Sequence, residues 1–482
     1  MRRFFNWKLT VSFAIVLGLC LLLDLRISSS AASFISNATT IKIYATPLGA
    51  STRYIGACEG DMGFSRADLI DLNLNTYRIY GGMSRWEMED DDGTYGSPSI
   101  EQIKANPNLV NWEWWDRAMS SPEGGSDYHF SGVPEERWQG NARTIFETLK
   151  DLRVLPVVTI RNSDPGRSPG WALQLNPPRT EADWNEWWEH VFATVYWLNV
   201  RNDYQVDHWE VHNEPDNLSQ GWGGNHEDYS KLVRVTADAI SHVYTTYLPN
   251  REYHIHAPKT VGGSLWPKEM LATAPAYFDN VNVHNYDLDV SSYVQQVRGW
   301  MRDSIHAGSP LWLGEWGTYT TGYDELEFSL NLIKNLIHMS QPGDSYVYGS
   351  HIFSLYNWGK EPYFEGLIDT DGTRRLSYYA FRMGIRALQG GRDVMLATST
   401  NPRVMAIATQ DDYEKLFLLI VNQNSEDYVA NADVSALKER GQTKVWEFSE
   451  THLDTIIEES RVTSGHLPIH IPAYSSQLIV VE

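Results

Sequence analysis

Cysteine is nearly absent from this chain of 482 residues, which contains only Cys20 and Cys58. Cys20 lies in an N-terminal segment that has the features of a cleaved leader, so the mature chain would keep a single thiol. One cysteine cannot form an intramolecular disulfide, and a disulfide-stabilised scaffold is therefore excluded. The fold must rely on its hydrophobic core instead, and 42% of the residues are apolar.

Basic residues are also scarce: the chain has 39 lysines and arginines but 61 aspartates and glutamates. The formal net charge is −22 at pH 7. A surface this acidic repels phosphate backbones and anionic lipids, so we expect neither nucleic acid nor a membrane surface as a partner of the mature chain. It also disfavours strongly anionic polysaccharides, unless a local basic patch exists.

Two common cofactor signatures are missing. No glycine-rich phosphate loop with its lysine is present, and no His-Glu-x-x-His spacing occurs. We therefore expect neither a cofactor nor a catalytic metal. The run Asp90, Asp91 and Asp92 leaves calcium open, although a solvated turn is the simpler interpretation because the ligand spacing is not diagnostic.

A sustained apolar run occurs at the N-terminus. A basic stretch that ends at Lys8 precedes the apolar residues 9–23, and residues 30–32 offer a small-residue cleavage site. This pattern is typical of a signal peptide over residues 1–32, and it predicts secretion. The alternative is an uncleaved membrane anchor, for which the run is short.

Aromatic residues are abundant, with 19 tryptophans and 26 tyrosines. Flat rings stack on the C–H faces of sugars, so this excess suits a carbohydrate-binding protein. Most of these rings would nevertheless belong to a large core.

Strand and helix patterns alternate from residue 51 to residue 388. The expected strands are 54–58, 76–80, 154–160, a run from 206 that stops at 213, 253–257, 281–286, 311–314 and 346–355. Strand–helix alternation favours a parallel sheet, and eight units with right-handed crossovers close into a (β/α)8 TIM barrel. The chain is therefore expected to be an α/β protein.

Short strands separated by turns replace this pattern after Gly390 and Gly391. They predict a small antiparallel β-sandwich over residues 389–482. Residues 33–50 contain one isolated strand pattern at 41–44, so this segment is either a linker or a strand that joins the C-terminal domain.

Two glutamates follow predicted strands in similar frames. Pro215 cannot donate to a sheet, so the fourth barrel strand stops beside Glu214. The apolar residues 311–313 and Gly314 precede Glu315 in the same way. Parallel barrels carry catalytic groups at the C-terminal ends of their strands, and two carboxylates there are what a retaining glycosidase needs.

Asn213-Glu214-Pro215, followed 101 residues later by Glu315, resembles clan A of the glycoside hydrolases. That clan consists of retaining (β/α)8 barrels. The phrase Trp-Glu-Val-His-Asn-Glu-Pro-Asp is most similar to family 39, the group of β-xylosidases and α-L-iduronidases, and agarase-like families are also close. The resemblance covers roughly residues 50 to 385.

The resemblance implies specific roles. Glu214 on the fourth strand would be the acid/base, and Glu315 on the seventh would be the nucleophile. Asn213 would bind the substrate 2-hydroxyl, Arg78 would orient the nucleophile, and Tyr286 would donate a hydrogen bond to it. A barrel salt bridge is the alternative role for Arg78.

Four further residues are candidates for substrate contact. His284 either lines the site or is a hydrogen-bonded core histidine. Trp358 follows the eighth strand, where clan members place a platform for the sugar ring, and Trp316 is a second candidate for that task. Asn162 follows the third strand and could contact hydroxyls, although loop asparagines usually cap turns.

These features predict a secreted retaining glycoside hydrolase acting on a plant- or algal-type oligosaccharide or polysaccharide. A transglycosylase would use the same residues, and a non-catalytic carbohydrate-binding protein on a decayed barrel is the rival from another class. The sugar, the linkage, endo or exo action and the oligomeric state stay open.

Overall fold

A computed structural model describes most of the chain after the N-terminal segment. The described residues are 38–58, 65–87, 98–120, 141–163, 170–220, 222–287, 289–317, 324–357, 366–369 and 371–482. The predicted signal peptide at 1–32, the aspartates at 90–92 and Trp358 lie outside these ranges. Among the described residues, no helix is both long enough and apolar enough to cross a membrane.

Eight parallel strands form a closed barrel, which confirms the predicted fold class. They are β2 (Tyr54–Cys58), β3 (Thr76–Gly82), β4 (Leu155–Arg161), β5 (His208–Val211), β6 (His254–Thr260), β7 (Asn280–Tyr286), β8 (Leu311–Gly317) and β9 (Gly349–Ile352). Each strand pairs with the next one along the chain, and β9 closes the barrel by pairing Gly349 with Tyr54.

Helices between the strands surround the barrel. The α-helices are α1 (Arg66–Leu72), α2 (Met83–Trp86), α3 (Ile100–Ala105), α4 (Trp112–Ala118), α5 (Ala142–Leu152), α6 (Glu181–Val195), α7 (His226–Tyr247), α8 (Trp266–Thr273), α9 (Val290–Arg302), α10 (Glu325–Ser340) and α11 (Leu376–Leu388). Shorter helical turns are Pro107–Leu109, Gly170–Leu175, Leu218–Gln220 and Pro275–Tyr277, and a π-helical turn, Tyr196–Arg201, extends α6.

Local sequence explains where the long helices begin. The side chain of Thr180 accepts a hydrogen bond from the amide of Asp183, and the side chain of Asp183 accepts one from the amide of Thr180. Asn225 and Asp228 make the same reciprocal pair ahead of α7. Such capping boxes satisfy amides that have no partner within the helix, and they fix the first turn.

Strand alternation divides the barrel into an apolar outer layer and a polar interior. On β5, Trp209 faces the helices and donates its indole hydrogen to Tyr244 at 3.3 Å, whereas Glu210 points inward to Arg78. Both charged side chains are fully buried. Buried charges persist only when they are paired, so the barrel interior is held by ion pairs as well as by packing.

The last 90 residues form most of a nine-stranded sheet. Its strands are β1 (Ala38–Ala50), β10 (Asp393–Ser399), β11 (Val404–Gln410), β12 (Leu416–Asn422), β13 (Tyr428–Asp433), β14 (Gly441–Phe448), β15 (Leu453–Val462), β16 (His466–Ile471) and β17 (Ser475–Val481). The sheet is antiparallel except for the pair β1 and β13. The N-terminal strand β1 therefore lies inside this sheet, between β10 and β13, and outside the barrel.

An ion-pair cluster joins the barrel to the sheet. Asp454 of β15 is buried and accepts hydrogen bonds from Arg382 at 2.7 Å and from Arg386 at 2.6 Å, both on α11. The sequence patterns missed β15, as well as β10 and β13. β15 alternates poorly because it is mostly exposed, and a pattern of burial is what sequence reading detects.

Candidate active site

Glu214 and Glu315 meet at the C-terminal end of the barrel. Glu214 follows β5 and Glu315 lies on β8, so the closure of the barrel brings together residues that are 101 positions apart. Both residues are buried, with exposed fractions of 5% and 3%. One carboxylate oxygen of each lies within 4.8 Å of the other, which is close to the spacing of paired catalytic carboxyls in retaining glycosidases.

Glu315 is surrounded by hydrogen-bond donors. Arg78 donates to Oε1 at 2.5 Å, and Tyr286 donates to Oε2 at 2.6 Å. The hydroxyl of Tyr80 also donates to Oε1. Burial raises the pKa of Tyr80 well above its usual value, so this phenol keeps its proton and remains a donor. Three donors, one of them cationic, therefore hold both oxygens of Glu315 in fixed positions.

Glu214 has a different environment. Its Oε1 lies 2.8 Å from Nδ1 of His284, and Oε2 accepts a hydrogen bond from Asn217 at 3.1 Å. Burial, followed by the negative charge of Glu315, raises the pKa of Glu214 to about 8. Glu214 is therefore protonated at neutral pH and can give up a proton.

Arg78 connects the predicted site residues. Its guanidinium donates to Glu315, to Oδ1 of Asn213 at 2.8 Å and to Oε2 of Glu210 at 2.5 Å. Burial lowers the pKa of Arg78, but Glu210, Glu315 and other neighbouring groups together raise it by more, so the pKa lies well above its usual value. The structure thus brings together Arg78, Asn213, Tyr286 and both glutamates, as predicted.

Glu210 is buried in the barrel interior and holds Arg78 in place there. No sequence motif indicated Glu210 as a site residue. Its carboxylate accepts hydrogen bonds from Arg78, from Thr159 at 2.5 Å and from Asn282 at 2.9 Å, and it pairs with Lys259 at 3.0 Å. Burial raises the pKa of Glu210, but Arg78, Lys259 and other neighbouring groups together lower it by more. The pKa of Glu210 therefore lies well below its usual value. The signal available in the sequence was strand alternation, which puts Glu210 on the same face of β5 as His208 and opposite to Trp209.

Lys259 is a second residue that the sequence patterns missed. It is fully buried, and its Nζ lies 2.8 Å from Nε2 of His284. His284 thus belongs to the site rather than to the apolar core. Lysine is almost never fully buried unless it is paired, so composition alone gave no reason to expect it inside the barrel.

The backbone is unusual where these groups leave their strands. Glu214 has φ of 42° and Lys259 has φ of 60°, which is the left-handed region that non-glycine residues rarely adopt. The amide of Glu214 donates to the carbonyl of Lys259 at 2.9 Å, so the two unusual segments support each other. Backbone conformations of this kind cluster at functional sites, where the surrounding structure holds them in place.

Three of the predicted substrate contacts are not found at the site. Trp316 is 1% exposed and packs against Phe381 of α11, because strand alternation turns it away from the side that carries Glu315. Trp316 is therefore a core residue and not a sugar platform. Asn162 is buried and contacts Ser163 and the carbonyl of Asn176, in agreement with a loop role, and Trp358 lies outside the described residues.

A buried thiol, that of Cys58, borders the site without taking part in it. Cys58 donates to the carbonyl of Gly314 at 3.4 Å and lies 3.6 Å from Arg78. Burial raises its pKa to about 12, so the thiol is not ionised at neutral pH. Nucleophilic sulfur chemistry needs the thiolate, and Cys58 is therefore a packing residue.

The same cluster has a spacing that a metal ion could use. Glu214, His284 and Glu315 each place one ligand atom within 4.8 Å of the others. However, Arg78 contacts Glu315 directly, and Lys259 contacts His284. Two buried cations this close repel a divalent ion, so carboxylate chemistry fits the cluster better than metal binding.

Comparison with known proteins places the chain among glycosidase folds. No protein-family model matches it. A curated β-xylosidase from Caldicellulosiruptor saccharolyticus is 23% identical over 276 residues, which are 52% of this chain and 55% of that protein. The matched region is thus about half the length of the curated relative.

Solved structures resemble the chain over most of its length. A glucosidase from Croceicoccus marinus is 12% identical with a TM-score of 0.66, covering 92% of this chain and 99% of that one. An α-L-arabinofuranosidase from Thermotoga maritima is 13% identical with a TM-score of 0.64, at 92% and 99% coverage. A GH39 enzyme from Xanthomonas axonopodis pv. citri is 14% identical with a TM-score of 0.61, at 92% and 97% coverage. The resemblance to clan A is thereby confirmed at the level of the fold.

Proposed function

We propose that this chain is a retaining glycoside hydrolase with Glu214 as the acid/base and Glu315 as the nucleophile. The observation that carries the proposal is the pair itself. Two buried carboxyl groups lie within 4.8 Å of each other in opposite environments, one with its pKa raised to about 8 and the other surrounded by three donors. Paired carboxyls with divided roles are the requirement of double displacement.

In the first step, an oxygen of Glu315 attacks the anomeric carbon and forms an ester bond. The glycosidic C–O bond breaks, and its electron pair goes to the leaving oxygen, which takes the proton of Glu214. Arg78 and Tyr286 hold Glu315 in place for the attack, because they engage both of its oxygens. The step leaves Glu214 ionised and Glu315 neutral as an ester.

In the second step, Glu214 accepts a proton from water as the water oxygen attacks the anomeric carbon. The ester bond breaks, and its electron pair returns to Glu315 as a carboxylate. Two inversions at one carbon retain the configuration. Each carboxyl thus returns to its starting state, with the proton again on Glu214.

Asn213 is suited to recognise the substrate 2-hydroxyl. Its Oδ1 accepts a hydrogen bond from Arg78 at 2.8 Å, which fixes the orientation of the amide. Nδ2 is then the group that can donate to the sugar. A bond to the 2-hydroxyl strengthens as the anomeric carbon gains positive charge.

The substrate class we propose is a plant- or algal-type oligosaccharide or polysaccharide. The relatives include proteins called β-xylosidase and α-L-arabinofuranosidase, which supports pentose-containing glycans as the first substrates to test. The acidic chain, at −22, also favours neutral sugars over strongly anionic ones. Secretion through the segment at 1–32 would bring the enzyme to such extracellular polymers.

A screen of aryl glycosides and polysaccharides tests the proposal. Purified protein should release product from at least one substrate class, and NMR of the first product should show the retained anomer. Glu214→Ala and Glu315→Ala should each lose most of the activity, whereas Glu450→Gln, an exposed carboxylate of the C-terminal sheet, should not. Release of the inverted anomer would refute double displacement, and full activity of Glu214→Ala and Glu315→Ala would refute the roles assigned to them. Absence of product from every substrate would support a binding protein. Transfer to added sugar acceptors in preference to water would identify a transglycosylase.

A further inference from the structure

His284 lies between the two catalytic carboxyl groups. Its Nδ1 is 2.8 Å from Oε1 of Glu214 and 3.3 Å from Oε2 of Glu315. Its other nitrogen, Nε2, is 2.8 Å from Nζ of Lys259. One imidazole ring therefore connects both carboxyls to a buried lysine that the proposed mechanism does not use.

The chemistry of the lysine fixes the proton on the ring. An ammonium group has three donors and no acceptor, so it can only donate to Nε2. A nitrogen that accepts a hydrogen bond carries no proton, and the proton of a neutral imidazole must then be on Nδ1. That is the nitrogen which faces the carboxyl groups, so the ring presents an N–H to them.

The structure holds the ammonium group at this position from two sides. Nζ of Lys259 lies 3.0 Å from Oε1 of Glu210, which supplies the compensating negative charge. The backbone of Gly314 leaves the necessary space, because a Cβ atom at that position would lie 2.3 Å from Nζ. Gly314 directly precedes Glu315, and the position of Lys259 explains why a residue without a side chain is needed there.

The charges around the ring support a neutral imidazole. The titratable groups that face His284 and Lys259 from other parts of the barrel are Cys58, Arg78, Glu210, Glu214, His256, Glu315 and His351. With Glu214 protonated, two cations face two carboxylates, and the cluster is neutral. Burial, followed by the charges of Lys259 and Arg78, lowers the pKa of His284 well below its usual value.

We propose that Lys259 is a positioning residue that locks His284 in the Nδ1-protonated form, so that one N–H can serve whichever catalytic carboxyl is ionised. In the resting enzyme the charge is on Glu315. In the glycosyl-enzyme the charge is on Glu214, whose Oε1 already lies 2.8 Å from Nδ1, so the same N–H serves it without any transfer of the ring proton. This inference rests on the proposed function, because it assigns no role to Lys259 outside the two-step reaction.

Nitrogen-15 NMR of histidine-labelled wild-type protein tests the lock directly. The His284 signals, assigned by their loss in His284→Asn, should show a neutral ring with the proton on Nδ1 between pH 5 and 7, where Lys259, with a pKa lowered by burial to about 8, keeps its charge. A proton on Nε2, or a ring that takes up a second proton in this range, would overturn the proposal. This measurement needs no activity, so it decides the matter even if the wild type cleaves none of the glycosides tested and the proposed function fails.

Kinetics of Lys259→Met then separate positioning from simple packing. We expect kcat/KM to fall by about 100-fold, because the ring loses its fixed donor geometry. The alkaline limb of the pH profile should also move upward, because the positive charge of Lys259 lowers the pKa of Glu214. Lys104→Met, a partly exposed lysine of α3, is the control and should leave rate and profile unchanged. A folded Lys259→Met variant with the wild-type pH profile would refute the role, and if the variant does not fold, the NMR result stands as the test.

Discussion

Removal of the Glu214 carboxyl should separate the two halves of the reaction. In Glu214→Ala, Glu315 can still attack a substrate whose leaving group needs no proton. We therefore expect a loss of about 10²–10⁴ in kcat/KM on glycosides with poor leaving groups, and a much smaller loss on activated aryl glycosides. The glycosyl-enzyme should then accumulate, because no base remains to activate water.

The raised pKa of Glu214 gives the expected size of the acid effect. With a pKa of about 8, roughly 90% of Glu214 carries its proton at pH 7. At the ordinary value of 4.5 the protonated fraction would be about 0.3%, so the environment raises the amount of acid about 300-fold. Wild-type kcat/KM on poor leaving groups should fall about tenfold between pH 7 and pH 9, and this alkaline limb should be absent from Glu214→Ala.

Azide provides the assay that assigns the two roles. It needs no base and fits the space left by the missing side chain, so it should restore turnover of Glu214→Ala on activated glycosides. The azide product should retain the configuration of the substrate, because Glu315 has already inverted it once. With Glu315→Ala no ester forms, and azide should give the inverted product.

The opposite pair of results would refute the assignment. Inverted azide product from Glu214→Ala, together with retained product from Glu315→Ala, would show that the acid/base and nucleophile roles are exchanged. A wild-type rate on poor leaving groups that already falls between pH 5 and pH 7 would contradict the raised pKa of Glu214, and a rate that stays flat up to pH 9 would contradict its role as the acid.

Three further predictions concern stability. Because the folded pKa of Glu214 is about 8 and the unfolded value is 4.5, the folded protein holds a proton that the unfolded chain has lost, so wild-type stability falls as pH rises through this window. In denaturant titrations at pH 5, 6, 7 and 8, Glu214→Gln should gain about 1.4 kcal/mol per pH unit over the wild type, and a constant difference would contradict this. Asp454→Ala leaves Arg382 and Arg386 without their buried partner, and the free energy of unfolding should fall by about 2 kcal/mol, whereas no change would show that the interface does not need the ion pairs. Deletion of residues 33–48 removes most of β1, which pairs with β10 on one edge and with β13 on the other. The deletion should therefore lower the melting temperature of the C-terminal sheet, and an unchanged melting profile would count against that pairing.

The sequence by itself was sufficient to predict the barrel and to predict that Glu214 and Glu315 lie at the ends of its strands. Alternating strand and helix patterns are local, and Pro215 marks the end of a strand without reference to the rest of the chain. Arg78, Asn213 and Tyr286 could also be named, because the resemblance supplied a position for each. Their contacts with one another then followed from the closure of the barrel.

The tertiary structure alone decided how the interior is charged. Glu210 and Lys259 lie 49 positions apart on neighbouring strands, and the sequence around neither residue predicts a buried ion pair. The sequence was misleading for Trp316. Its position next to Glu315 suggested a place in the sugar site, but side chains alternate along a strand, and Trp316 therefore packs against α11. A side chain's chemistry depends on what surrounds it, and in a closed barrel those neighbours come from strands that are distant in sequence.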